Sequence, residues 1–154
     1  MSDSLNQSID RIRTWSPRLN KITDEAAAVV ARVEGFLNAE CSVGIPAYVV
    51  HGESNGRPTP GHLELCYCRV EGKYRIAVRG YYCGANDMID ERTRPWASCP
   101  RDVKLRTIAD LPKLLETIAG NITSATDQTR EAIEAVNQVL EAIDGKHLVS
   151  RETN

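Results

Sequence analysis

Apolar residues return every three or four positions at both ends of this chain and every second position in its middle. That change of period limits the fold more than any other feature, because a stripe of period 3.6 suits a helix and strict alternation suits a half-buried strand. At the N-terminal end the stripe holds Leu5, Ile9, Ile12, Trp15, Leu19, Ile22, Ala26, Val29, Val33 and Phe36. At the C-terminal end it holds Leu111, Leu115, Ile118, Ile122, Ala125, Thr129, Ile133, Val136, Leu140 and Ile143. The expected fold class is therefore α+β. N-terminal helices lead into an antiparallel sheet of three or four strands, and a short helix and a long C-terminal helix pack on one sheet face. The 154 residues read as a single domain, with helices over 4–39, sheet over 43–98 and helices over 100–144.

Local signals set the expected boundaries. Ser16-Pro17 suits a helix start, with Ser as N-cap and Pro in the first turn, so a short helix near 4–14 and a longer one over 17–39 are expected, separate or joined by a kink. Pro46 near the start of the first strand cannot donate to a ladder, which points to a sheet edge. The stretch Gly52 to Gly61 is dense in turn formers and reads as a loop. Ser98 reads as the N-cap of a helix near 100–108 and Asp110 as the cap of the next. Gly120-Asn121 weakens the last helix, Asp144-Gly145 is expected to end it, and the residues from Lys146 are expected to fray.

Two alternating runs, His62 to Val70 and Lys73 to Tyr82, flank Glu71-Gly72 and read as a hairpin. Pairing across a two-residue turn sets Leu65 against Val78 and Tyr67 against Ile76 on an apolar face to be covered by helices. The opposite face then carries His62, Glu64, Arg75, Arg79 and Tyr81, with Glu64 directly across from Arg79. Arginine and tyrosine on a sheet surface are typical of protein-binding hot spots, and they also suit phosphate contact and base stacking. These five residues form the candidate binding face.

Charge is unevenly spread. Residues 1–50 carry five basic and six acidic groups, residues 51–113 carry eleven and eight, and residues 114–154 carry three and seven. The centre is mildly cationic within a chain of formal charge −2, which excludes a strongly basic nucleic-acid coat but leaves a local anion site open. Five cysteines, an odd number, with no basic-then-apolar leader at the start, read as reduced thiols of a cytoplasmic protein. No apolar run approaches the ~20 residues that a membrane helix needs.

Catalytic constellations are sparse. Cys66 and Cys68 share a strand face, but zinc sites ordinarily place their paired cysteines in a turn and add a second pair, so no metal is expected. His62 and Cys66 stand four residues apart on one strand, too far for a thiol–imidazole pair, whereas the sequence leaves open whether His51 approaches a thiol. The acidic stretch Asn86 to Glu91 lacks calcium-loop spacing and reads as a solvated loop, with a short strand near Thr93 to Ala97. Trp96 and Trp15 both read as packed core residues.

A small non-catalytic adaptor or inhibitor that binds another protein is the expected function, without a cofactor. The alternative is a nucleic-acid or nucleotide binder using the cationic sheet face; a thiol-dependent enzyme comes third. A helix of ~50 Å overhangs strands of ~30 Å, so its overhang is expected to pair with the first helical section or with another copy of the chain; homodimerisation through the helices is expected, because the stripe at Ile133, Val136, Leu140 and Ile143 needs a cover.

Overall fold

A computed structural model describes residues 2–52 and 59–152. Residues 53–58 of the expected Gly52–Gly61 loop, and 153–154 of the expected frayed end, lie outside the described residues. The chain forms α1 (Ser2–Gly35), a π-helical turn (Phe36–Glu40), β1 (Ala47–Val50), β2 (Leu63–Val70), β3 (Lys73–Cys83), β4 (Ile89–Pro95), α2 (Arg101–Thr107) and α3 (Leu111–Glu152), with short 3-10 turns at Ala85–Asp87, Trp96–Ser98 and Ile108–Asp110. This is an α+β fold. The chain divides into two compact units, one ending at Ile118 and one beginning at Ala119.

In the first unit the four strands lie in sequence order and pair antiparallel throughout. The edge position of β1 agrees with Pro46 at its entry. The hairpin register is the one the hydrophobic pattern requires, with Leu65 opposite Val78, Tyr67 opposite Ile76 and Glu64 opposite Arg79. Its turn places Glu71 at φ 51° and Gly72 at φ 83°, two left-handed residues whose twist matches that of the flanking strands. β4 begins at Ile89 and so takes up Ile89 to Glu91 of the stretch that reads in sequence as loop, pairing with β3 from Cys83 back to Ala77.

The apolar face carries Leu63, Leu65, Tyr67, Ile76 and Val78, all buried. The end of α1 and the π-turn meet it through polar as well as apolar groups. Tyr67 Oη donates to Asn38 Oδ1 at 2.6 Å, Asn38 Nδ2 donates to the Tyr74 carbonyl at 2.8 Å, and the Ile76 N–H donates to Glu34 Oε2 at 3.0 Å. Val30, Leu37, Leu111, Leu114 and Ile118 complete the core, together with Trp96, whose indole N–H donates to the Thr107 hydroxyl at 3.1 Å. Trp96 is thus the packed anchor its sequence position implies.

Several boundaries differ from those expected. α1 is one helix that runs through Pro17, because the apolar stripe passes from Ile12 through Trp15 and Leu19 to Ile22 without losing phase. Ser16 turns its hydroxyl back to the Ile12 carbonyl at 2.6 Å, a bond made inside a helix rather than at its start. Pro100 occupies the N-cap of α2, and Ser98 lies in the preceding 3-10 turn. Asp110 accepts a hydrogen bond from a histidine, described below, and sits in the 3-10 turn before α3. Gly120 and Gly145 both lie within α3, which continues to Glu152.

The largest correction concerns the N-terminal stripe. From Asp3 to Ile22 every residue of α1 is exposed, including Trp15 at 60%, so Trp15 is not a core residue. The Arg18 guanidinium lies over its ring at 4.8 Å. In the second unit the described side chains from Thr126 to Lys146 are likewise exposed, with Ile133, Val136, Val139, Leu140 and Ile143 among them. Only the last third of α1 and the first turns of α3 bury apolar side chains in the core. No helix among the described residues is long and apolar enough to cross a membrane.

Candidate functional site: the Arg79 cluster on the sheet

The face of the sheet opposite the apolar core collects its side chains from all four strands. β1 brings Tyr48, β2 brings Glu64, Cys66 and Cys68, β3 brings Arg75, Ala77, Arg79 and Tyr81, and β4 brings Glu91, in ladders that set Tyr48 beside Cys66, Cys66 beside Ala77, Glu64 beside Arg79 and Tyr81 beside Glu91. Arg79 is the hub. Its Nε donates to Glu64 Oε2 at 2.6 Å, and its guanidinium also bridges to Glu91 at 3.5 Å. The Arg79 guanidinium lies 4.2 Å from the centre of the Tyr48 ring and 6.0 Å from that of Tyr81. Burial works against its charge, but the hydrogen bond and the negative charge of Glu64 outweigh burial and hold its pKa above the usual arginine value.

Glu64 serves more than one partner. His62 Nε2 stands 3.6 Å from Glu64 Oε1, and the His62 ring packs tilted against Tyr81 at 5.3 Å between centres. Four of the five residues expected on the binding face, His62, Glu64, Arg79 and Tyr81, are therefore brought into one cluster. Arg75 stands apart, across from Cys68. The set does not project freely into solvent. Glu64 and Tyr81 are both buried to 9% relative exposure, because charge pairing and ring packing let these side chains lie down against each other. Burial also pushes the Tyr81 phenol above its usual pKa. Tyr48, at 44% exposure, is the aromatic that faces outward, and its place at the sheet edge opposite Cys66 follows only once β1 is known to pair with β2.

Cys66 and Cys68 lie next to this cluster with their sulfurs 3.6 Å apart, both unoxidised and both buried. Cys66 also reaches the Ala77 carbonyl at 3.3 Å. The contact moves the two thiols in opposite directions. The hydrogen bond between them brings the Cys68 thiol down to about 7, whereas the same bond, with burial, pushes Cys66 up. With Ala77 as the close neighbour the two thiols form a small packed cluster on which Val70 rests. Among the described residues no three His, Cys, Asp or Glu side chains converge as metal ligands would.

The second histidine pairing is one that sequence reasoning missed. His51, just past β1, places Nδ1 2.7 Å from Asp110 Oδ2, with both side chains mostly covered. His51 therefore approaches a carboxylate rather than a thiol. The two residues are 59 positions apart, and each reads locally as something else, Asp110 as a cap and His51 as a strand end. No family model, no curated protein and no solved structure matches this chain.

Proposed function

We propose that the chain is a small non-catalytic protein-binding adaptor or inhibitor working in the cytoplasm, and that it binds through the sheet face around Arg79. The observation that carries this reading is the stacking of Arg79 on the outward-facing ring of Tyr48, with the guanidinium fixed from beneath by Glu64 and Glu91. An aromatic and an arginine held in one geometry before binding lose little side-chain freedom on contact, and these two residue types dominate binding hot spots. Arg75 and His62 extend the same face. Five unoxidised cysteines accord with a reducing compartment.

The rival reading, a nucleic acid or nucleotide on this face, draws less support. Arg79 already faces two carboxylates, so a phosphate brought to it would meet their charge. A thiol-dependent enzyme draws less still, since His62 engages Glu64 and His51 engages Asp110.

The test is capture of partners from the source cell with the wild-type chain and with the Tyr48→Ala, Arg75→Ala double variant. A protein partner whose affinity falls at least about thirtyfold in the variant supports the proposal. Unchanged binding overturns the assignment of this face. Recovery of nucleic acid, with affinity falling steeply as salt rises, favours the rival.

A further inference from the structure

The two ends of the chain present matching helical seams. In α1 the seam is Leu5, Ile9, Ile12, Trp15, Leu19 and Ile22, each at least 37% exposed. In α3 it is Ile133, Val136, Leu140 and Ile143, each at least 48% exposed. Both return every three or four residues, the spacing by which one helix packs its side chains into the gaps of another. Among the described residues 3–22 and 126–146, every side chain is exposed around the whole helix.

Their charges are opposite. Residues 3–22 hold four basic and two acidic side chains, net +2, and residues 126–146 hold two basic and five acidic, net −3. The flanking charges repeat with the seams. Arg11 and Arg18 each precede a seam residue by one position in α1, and Glu134 and Glu141 each follow one in α3. Two copies of the α1 segment would bring positive charge to positive, and two copies of the α3 segment negative to negative. The favourable pairing is α1 with α3.

We propose that the α1 segment of one copy packs along the α3 segment of a second copy, and the reverse, so that two chains form a closed two-fold dimer held by a helical bundle. Each copy contributes both seams, which is the self-complementary arrangement that two-fold symmetry demands. The inward halves of the two segments amount to about 20 residues a side, the lower bound for a stable interface. The proposal is independent of the partner site on the sheet, which lies on different residues.

The experiment is light scattering after size exclusion on the full chain in reductant, with near-ultraviolet dichroism as the check that the core around Trp96 stays folded. A dimer is expected for the wild type. Arg11→Glu with Arg18→Glu should weaken it by at least about tenfold, and adding Glu134→Lys with Glu141→Lys should restore it to within about threefold, because the second pair of changes re-creates opposite charges across the seam. A wild type that is monomeric at high micromolar concentration overturns the proposal, whether its seams then meet within one chain or wait for an unrelated protein. A dimer indifferent to the first pair of changes, or one not rescued by the second, overturns the α1-to-α3 pairing.

Discussion

The carboxylate of Glu34 accepts the backbone N–H of Ile76 at 3.0 Å. β4 ends at Pro95, opposite Ala77, so Ile76 is the first residue of β3 with no β4 residue beside it. A helix side chain thus completes a ladder where the strand stops, and it does so at a core residue that is 1% exposed. Replacing Glu34 by Ala should cost about 1–2 kcal/mol in chemical unfolding, the toll of a buried donor left without an acceptor, while Glu34→Gln should retain most of the stability. Equal losses in both variants would show that the charge, rather than the acceptor, matters.

The two thiols on β2 make stability depend on pH in a specific direction. Cys68 is lowered from 9.0 to about 7, and Cys66 is raised from the same starting value. Between about 7 and 9 the folded chain has released the Cys68 proton that the unfolded chain still holds, so the stability contributed by Cys68 grows with pH and is lost as pH falls through about 7. Above 9 the unfolded chain gives up both protons while the folded one keeps that of Cys66, and stability declines. The stability difference between wild type and the Cys66→Ala, Cys68→Ala variant should therefore peak near pH 9. A difference that stays flat across that interval would contradict the opposite shifts of the two thiols.

Glu71 occupies a left-handed position in the β2–β3 turn, where a side chain longer than that of Asn or Asp gains nothing and strains the backbone. Glu71→Asn should raise the unfolding free energy by about 0.5–1 kcal/mol, read from thermal melts. Lowered stability would mean that the Glu71 side chain makes a compensating contact.

Tyr81 and Arg75 should separate burial from binding on the sheet face. Tyr81 packs on His62 and is buried, so Tyr81→Ala should cost about 2–4 kcal/mol, whereas Arg75→Ala should cost under about 0.5 kcal/mol. If the two variants melt alike, the ring of Tyr81 is not part of the core.

The register of the β2–β3 hairpin was legible in sequence to the residue because alternation and turn length together permit a single pairing, and the same pairing set Glu64 against Arg79. The helices were legible as helices but not by their neighbours. A stripe of Leu, Ile and Val states that a face is apolar and leaves open what covers it, which is why Trp15 reads as core and is exposed. Caps misled for a related reason. Ser98 and Asp110 have the side chains that start helices, yet Pro100 holds the N-cap of α2 and the His51 ring takes the Asp110 carboxylate, a contact between residues 59 positions apart. Tyr48 escaped notice because its role depends on the β1–β2 pairing, which crosses the turn-rich stretch from Gly52 to Gly61.

The bare stretch of α1 sets up two clocks in one chain. Its backbone bonds are local, every side chain from residue 3 to residue 22 is exposed, and Pro17 removes one donor from their middle. An isolated helix of that length is marginal, so in the lone chain its amides should exchange with solvent by brief local opening, long before those of β2 and β3, which open only when the core does. A protease should nick the chain there first and leave the sheet intact. Slow exchange in this segment would accordingly register its burial against another molecule, amide by amide, without a label and without knowing in advance what that molecule is.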